Sequence, residues 1–219
     1  MTETLGCSRQ DFIETWLTEM PRGIDGIQLF EAIREAIMER IDYGFSVIDL
    51  GNNLKKIMGK QIIHYWYEKD NEISLCAELE IKPQGYVVNA LAKNPTMDGS
   101  PYASDLYINI LKDSNKAIKL YSDKDMTRSG LNVWKRLLSL GYAISVYDNE
   151  NPGQSLTTLS SETDLDRYFK MSDYDFQRYR FVLTEAKGVS LMLAETRGFF
   201  HTRRMRELAS IQSNHDLCE

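Results

Sequence analysis

The sequence predicts an α+β protein built on a mixed, mostly antiparallel sheet that is flanked by helices. Residues 73–81 alternate between apolar and polar side chains, which is typical of a strand with two different faces. A turn at residues 69–72 separates them from a β-branched and aromatic run at residues 62–67, and the pair predicts a hairpin. Residues 85–148 then predict strand, loop, helix, strand, helix and strand, so an α/β unit follows the antiparallel strands.

Two helices are predicted before the first strand. Residues 8–20 have apolar side chains at helical spacing, and a second helix begins at Asp25. The buried stripe of the second helix is expected to consist of Ile27, Phe30, Ile33, Ile37 and Ile41. Its charged residues, Arg40 among them, are expected to face solvent.

The α/β unit contains two further predicted helices, at residues 103–113 and 127–141. Ser104 and Thr127 are residue types that favour helix N-caps, and each stands near the start of one helix. Gly141 lies where the second helix is expected to end, because glycine adopts the left-handed conformation of a helix C-cap without strain.

The remaining segments are predicted from their composition. A first strand is expected at residues 45–50, followed by a polar, basic connection at residues 52–60. Residues 149–164 are rich in Asn, Ser, Thr and Gly and predict a loop or insertion. A brief helix is expected at residues 164–169, and a last strand at residues 179–184.

The domain organisation predicted from these elements is simple. Residues 1–190 form one α+β domain, and residues 191–219 form a C-terminal helical tail. The basic residues of the tail are Arg197, Arg203, Arg204 and Arg206.

Composition limits the classes of partner. The chain has 26 Lys and Arg against 32 Asp and Glu, a net charge of −6, which argues against broad electrostatic binding of nucleic acid. No stretch approaches the roughly 18 to 20 apolar residues of a membrane span, and the N-terminus has no signal pattern. We therefore expect a cytoplasmic protein without a membrane partner.

Cysteine and histidine usage gives no support for a disulfide framework or a metal site. The three cysteines, Cys7, Cys76 and Cys218, are far apart and form no CxxC pair. The three histidines, at positions 64, 201 and 215, have no ligand-like spacing.

The order of elements resembles the GNAT fold of the N-acetyltransferases, most closely over residues 86–147. In that family a strand enters a loop at a helix N-terminus, whose backbone amides hold the pyrophosphate of acetyl-CoA. The sequence Leu140-Gly141-Tyr142 is similar to the corner that closes the family's last helix. The resemblance implies acetyl-CoA as cofactor and assigns its binding to Leu91, Ala92, Gly99, Ser100 and Ala103.

A reaction of this type needs a base for the amine proton and an acid for the leaving thiolate. Glu78 and Glu80 lie on the polar face of the alternating strand, where they serve as the base or simply occupy an exposed sheet face. Tyr142, or Tyr102 in the loop, is the candidate acid.

Two other side chains of the predicted hairpin carry chemistry. His64 is either a group that titrates near neutrality or a hydrogen-bonded residue of the sheet. Cys76 is a nucleophile only if a base lies close to it in space.

Three functions remain open. The first is acyl-CoA-dependent transfer of an acetyl group to an amine on a small molecule or protein. The second is a non-catalytic acidic protein-binding or inhibitor protein of the same fold, encoded by a phage or mobile element. This alternative is favoured by the loop, which has a single glycine, a proline and Asp98, and by Asp105, since two carboxylates repel a bound anion. The third is an unrelated α+β toxin-like or antitoxin-like factor.

Overall fold

A computed structural model describes residues 26–114, 118–123, 126–149, 155–169 and 179–184 of the chain. The helices in these ranges are α1 (Gly26–Asp42), α2 (Ala103–Asp113), α3 (Arg128–Ser139) and α4 (Glu162–Tyr168). The strands are β1 (Val47–Gly51), β2 (Leu54–Met58), β3 (Ile62–Lys69), β4 (Glu72–Lys82), β5 (Gly85–Lys93), β6 (Leu120–Tyr121), β7 (Ile144–Asp148), β8 (Ser155–Leu159) and β9 (Tyr179–Leu183). The helix predicted at residues 8–20 and the tail predicted at residues 191–219 lie outside the described residues.

The strands form one sheet in the order β1-β2-β3-β4-β5-β6-β9-β7-β8. Neighbouring strands are antiparallel throughout except for β5 and β6, which are parallel. The predicted fold class, a mixed and mostly antiparallel sheet flanked by helices, is confirmed.

Two hairpins in the first half of the sheet turn through pairs of residues with positive φ. Asn52 and Asn53 have φ of 53° and 62°, and Asp70 and Asn71 have φ of 54° and 64°. Two-residue hairpin turns whose twist matches the strands require positive φ at both positions, which Asn and Asp tolerate. The turn predicted at residues 69–72 is therefore confirmed.

The connection predicted at residues 52–60 is wrong, because most of it is strand β2. Leu54 and Ile57 are buried, while Lys55 pairs with Glu68 of the neighbouring strand β3 and Lys56 pairs with Asp113 of α2. Lys55 Nζ pairs with Glu68 at 2.6 Å. The strand was missed because its two adjacent lysines are typical of a surface connection. Their charges are neutralised by partners that are distant in sequence.

The loop predicted at residues 149–164 is also wrong for part of its length. Residues Ser155–Leu159 form β8, which pairs antiparallel with β7 at the edge of the sheet. Only Leu159 of this strand is buried, so a Ser- and Thr-rich sequence satisfies its backbone by pairing while it contributes little to the core.

The sheet has one helix layer on each face. On one face α2 and α3 cover the main core, where the ring of Trp134 lies 5.7 Å from that of Tyr107 and 5.9 Å from that of Phe181. On the other face α1 covers a second cluster of buried residues. The members of this α1 layer are Phe30, Ile33, Ile37, Ile57, Trp66, Ile73, Cys76, Ala90 and Ala92. The face of β4 that the sequence marked as polar is thus buried under α1 around Cys76.

The ends of the two helices on the main core follow their capping residues, with one exception. Thr127 caps α3, since its Oγ1 accepts from the Gly130 amide at 3.1 Å, and Gly141 follows the helix with φ of 84°. Ser104 is wrong as the N-cap of α2, because the cap is Tyr102. The Tyr102 amide donates to the Asp105 carboxylate at 3.1 Å, so the helix supplies its own acidic cap.

Strand β5 leaves its parallel neighbour after two residues. It pairs with β6 only through Tyr86–Leu120 and Val87–Tyr121, but it continues to Lys93. Between β4 and β5 the register passes from Glu78–Ala90 to Leu79–Val88, which leaves Asn89 as an extra residue, a β-bulge. Both residues of β6 are paired, so the pairing ends where β6 ends, and the bulge then bends and twists the part of β5 that continues alone.

We expect Gly85→Ala to destabilise the start of this parallel pair by about 3 kcal/mol or more. Gly85 has φ of 145°, and a Cβ there would lie 2.2 Å from the Lys119 carbonyl oxygen. Gly51→Ala is the matched control, because its φ of 82° is also positive but its Cβ would meet no atom within 4 Å. Urea denaturation should give a loss of about 1 kcal/mol for the control. Equal losses in the two variants would contradict the backbone clash.

A second prediction concerns the end of α2. Asp113 accepts hydrogen bonds from Lys56 Nζ at 2.6 Å and from the Tyr65 hydroxyl at 2.7 Å. Tyr65→Phe should cost about 1 kcal/mol, and Asp113→Ala about 2–3 kcal/mol, since it leaves two largely buried donors without their acceptor. Lys55 is the neighbour of Lys56 on β2, and its ion pair with Glu68 is more exposed. Lys55→Met, which removes this pair, should cost less than about 1 kcal/mol. Chemical denaturation gives all three, and a cost for Lys55→Met as large as that for Asp113→Ala would be inconsistent with this assignment.

Candidate functional site

The structural feature best suited to hold a ligand is the edge of β5 beyond Val87. From Val88 to Lys93 this edge, which we call the β5 edge, pairs with no other strand of the described residues on its β6 side. Unpaired N–H and C=O groups along a strand edge form hydrogen bonds with an extended partner that carries amides. The β5 edge leads directly into the loop before α2.

The loop and the first turn of α2 form a junction that carries two cationic side chains. Lys93 Nζ donates a hydrogen bond to the Gly99 carbonyl and lies 5.9 Å from the centre of the Tyr102 ring. The guanidinium of Arg136, from α3, lies 4.0 Å from the centre of the same ring. The exposed Tyr102 ring, at the N-terminus of α2, therefore holds an exposed cation, Arg136, close to that helix end.

The loop–helix junction, as we call this region, has charges of both signs. Lys93 and Arg136 are the cations, and Asp98 and Asp105 are the carboxylates that the sequence placed here. The Asp105 carboxylate is already engaged by the Tyr102 amide. Its charge therefore lies at the positive end of the α2 dipole and offsets part of the attraction that this end exerts on an anion.

The five residues assigned to cofactor binding fall in two places. Gly99, with φ of 79°, Ser100 and Ala103 lie at the loop–helix junction. Leu91 and Ala92 lie on β5 but on opposite faces, Leu91 against the main core and Ala92 in the α1 layer. The backbone of both residues belongs to the β5 edge, whereas their side chains belong to the two cores.

A buried polar cluster lies behind the bulge, on the α1 face. Glu78 and His64 are directly opposite each other on β4 and β3, are fully buried, and meet at 3.2 Å between Oε2 and Nε2. Asn89 Nδ2 donates to the other Glu78 oxygen, Oε1, at 3.3 Å. Arg40 is 1% exposed and donates through Nη1 to the Ile62 carbonyl at 3.3 Å.

Three expectations from the sequence are corrected on this face of the sheet. Arg40 was expected in the solvated face of its helix, but its side chain is buried between α1 and the sheet, where it donates to the Ile62 carbonyl. Ile27 was expected in the buried stripe of the same helix, but it is exposed. The interpretation of Glu78 as part of an exposed sheet face is wrong, since it is 0% exposed. In an apolar layer a carboxylate needs hydrogen-bond donors, and His64 and Asn89 supply them.

His64 is a hydrogen-bonded residue of the sheet in its neutral form. Complete burial lowers the pKa of its imidazole, the Arg40 charge lowers it further, and the bond to Glu78 opposes both effects. Because a carboxylate only accepts, Nε2 carries the proton and Nδ1 is the unprotonated nitrogen. Nδ1 is buried and has no hydrogen-bond partner within the described part of the chain.

Glu80 differs from Glu78 in its access to solvent. It lies two residues along β4, on the same face, and its side chain is 23% exposed and paired with Lys82. It lies opposite Val87, the last residue of β5 that pairs with β6, so it marks the point where the two strands part. Burial lowers the pKa of the Arg180 guanidinium on β9, and the negative charge of Glu80 acts against this larger effect and raises it.

Tyr142 and Cys76 are not brought together with the glutamates in a reactive arrangement. Tyr142 is half-buried against the main core, on the face opposite to Glu78 and Glu80. Cys76 is buried in the α1 layer, its thiol points to the Ala92 carbonyl at 3.6 Å, and burial raises its pKa. Such a thiol is not a nucleophile at neutral pH.

Four residues of the site were not predicted from the sequence. Asn89 carried no signal, because a bulge is a property of the pairing between two strands. Lys93 and Arg136 are far apart in the chain, and only the fold brings each of them close to the Tyr102 ring. Arg40 differs from the exposed charges of α1 only by its place on the helix, one turn after the buried Ile37.

Among the described residues, no group of three or more His, Cys, Asp and Glu side chains is arranged to hold a metal ion. No helix in the same ranges is long and apolar enough to span a membrane. No protein-family model, curated protein or solved structure matches the chain. Function is therefore inferred from the geometry of the chain itself.

We expect the stability of the protein to fall as the pH decreases below 6.5 because of His64. Its folded-state pKa is lowered below the ordinary value of 6.5, so the unfolded chain binds a proton that the folded chain does not. The free energy of unfolding should therefore decrease with falling pH, by at most about 1.4 kcal/mol per pH unit for this group. Urea denaturation at several pH values measures it.

The control is His64→Gln, which retains a hydrogen-bond donor for Glu78 but does not titrate. It should be less stable at pH 7.5 yet lose less stability on acidification than the wild type. An equally steep pH dependence in the variant would assign the effect to other groups.

Proposed function

We propose that this protein is a GNAT-like acyl-CoA-dependent N-acyltransferase that transfers an acetyl group to an amine. The observation that carries the proposal is the place where β5 continues beyond the end of its parallel neighbour β6, directly before a helix N-terminus; we call it the opening. The β5 edge lines this opening, and the loop–helix junction stands at its end. An elongated ligand with an anionic end fits such an arrangement.

The connectivity around the opening supports the same proposal. Strand β5 is followed by α2 and parallel β6, and then by α3, β7 and β9, with the order β5-β6-β9-β7 in the sheet. The part of this succession from β5 to β7 is the part for which the sequence resembles the N-acetyltransferases. Strand β8 is an addition at the edge beyond β7.

The pantetheine arm of a CoA thioester contains two amides separated by short alkyl chains. Such a chain is able to pair with the β5 edge as an additional strand would, through backbone N–H and C=O groups. The side chains of β5 do not need to be polar for this, which agrees with the apolar residues at positions 88, 90, 91 and 92.

The phosphates of the ligand are proposed to lie at the loop–helix junction. The sequence lacks an arginine in the loop, but Lys93 and Arg136 reach the junction from β5 and α3. Two cations and the dipole of α2 together oppose the charges of Asp98 and Asp105. The affinity for the phosphates therefore depends on the difference between these attractive and repulsive charges, which titration with acetyl-CoA measures.

In the proposed reaction an amine attacks the thioester carbonyl, a C–N bond forms, the C–S bond breaks, and the thiolate leaves. The amine must lose a proton, for which a carboxylate accessible from the opening is required. Glu80 satisfies this requirement better than Glu78, since it is partly exposed and lies where β5 and β6 part. Tyr142, the acid that the sequence suggested, packs against the main core on the opposite face from Glu80, so the proposal assigns it no role and the thiolate takes its proton from solvent.

The alternative function is a non-catalytic binding protein of the same architecture. It is favoured by one observation, the Asp105 carboxylate that occupies the N-terminal end of α2 in place of a ligand anion. A protein of this kind would bind no CoA.

Calorimetric titration distinguishes the two functions. Wild-type protein should bind acetyl-CoA with a micromolar Kd, and Arg136→Gln should weaken binding about tenfold through loss of a charge-assisted contact with phosphate. Acetyl-pantetheine, which lacks the nucleotide and pyrophosphate, should bind both proteins equally.

The matched control is Arg34→Gln, which removes an exposed arginine of α1 that pairs with Glu31. It should leave the Kd for acetyl-CoA unchanged. No binding of acetyl-CoA by the wild type up to millimolar concentration would overturn the enzymatic function and favour the binding protein.

A further inference from the structure

We propose that Glu78 and Asn89 form a positioning pair that fixes the bulge of β5, and with it the β5 edge along which the ligand lies. The role of the edge in binding rests on the proposed function. The pair itself rests on contacts within the sheet.

The first observation is the place of the bulge. Asn89 is two residues beyond Val87, where the parallel pairing of β5 and β6 stops. Before it, Val88 faces the main core, and after it Ala90 faces the α1 layer, so the side-chain alternation of β5 is reset at this residue. The bulge thus decides both the direction of the β5 edge and the faces to which its residues belong.

The second observation is that both oxygens of Glu78 are used within the sheet. Oε2 accepts from His64, and Oε1 accepts from Asn89. Asn89 turns its NH₂ group to Glu78, because the bond to Oε1 is donated through Nδ2. The buried Glu78 side chain therefore sets the orientation of the half-exposed amide at the bulge.

The third observation is the inaccessibility of Glu78. It is 0% exposed, whereas a general base must come within hydrogen-bond distance of the proton that it removes. Glu78 consequently acts through Asn89 as a positioning residue, while accessible Glu80 is left for chemistry.

The test exchanges the donor and the acceptor of the pair. In Asn89→Asp two carboxylates face each other and the bulge loses its bond. In the double variant Asn89→Asp with Glu78→Gln, the new amide donates to the new carboxylate at the bulge and still accepts from His64, so every bond is restored with reversed roles. Glu78→Gln alone retains the bond if the Asn89 amide turns over.

Amide hydrogen exchange of residues 88–91 is the first readout. Asn89→Asp should raise their exchange rates at least about tenfold relative to wild type, with residues 144–148 of β7 as internal reference. The double variant and Glu78→Gln should return to within about threefold. Wild-type exchange in Asn89→Asp, or failure of the double variant to recover, would overturn the proposal.

Release of the CoA thiol from acetyl-CoA with a panel of primary amines is the second readout. Asn89→Asp should lower kcat at least about tenfold with little change in the KM for acetyl-CoA, and the double variant should recover. Loss of turnover in Glu78→Gln with normal exchange would make Glu78 the base and overturn the positioning role. If the wild type does not bind acetyl-CoA, the proposed function fails, while the exchange pattern still decides the role of the pair.

Discussion

The structure depends on one irregularity, the extra residue Asn89 in the pairing of β4 with β5. Without it β5 would keep the alternation and direction that it has at Val87. With it β5 bends beyond the end of β6, and the chain enters α2 at the end of the unpaired β5 edge. The buried polar cluster behind the bulge stabilises this irregularity, since Glu78 bonds to Asn89 from inside the α1 layer.

Burying that cluster has a cost that the surrounding residues offset. A carboxyl group and a guanidinium under an apolar helix are each unfavourable without partners, but here Glu78 has hydrogen bonds with His64 and Asn89, and Arg40 donates one to the Ile62 carbonyl. An apolar replacement would remove the desolvation cost and also the bond that fixes the bulge. A polar cluster at this position is therefore better understood as a device for specificity than for stability.

The loop–helix junction shows a different balance. Its cations come from separate elements and each lies near the Tyr102 ring, whereas its carboxylates are close in sequence, and one of them caps the helix. A helix N-terminus that is capped by its own residue attracts an anion less strongly than an uncapped one. The affinity for a phosphorylated ligand thus depends on Lys93 and Arg136 rather than on the loop backbone alone.

Local sequence determined the elements whose signals are local. Residues 103–113 form α2 as predicted, Thr127 and Gly141 begin and end α3, and the Asp70-Asn71 turn closes the β3–β4 hairpin, because capping and turn preferences act within a few residues. Strand β2 and strand β8 were missed, since their lysines or hydroxyl side chains are accommodated only by distant partners or by an edge position.

The site was decided by tertiary structure. The sequence identified β4, β5 and the loop as the region of interest, and it singled out Glu78 and Glu80, but it gave both glutamates the same status. The packing of α1 separated them, burying one and leaving the other partly exposed. Burial, strand register and the positions of Lys93 and Arg136 near the Tyr102 ring all depend on which elements pack together. A local pattern of residues does not determine which elements pack together.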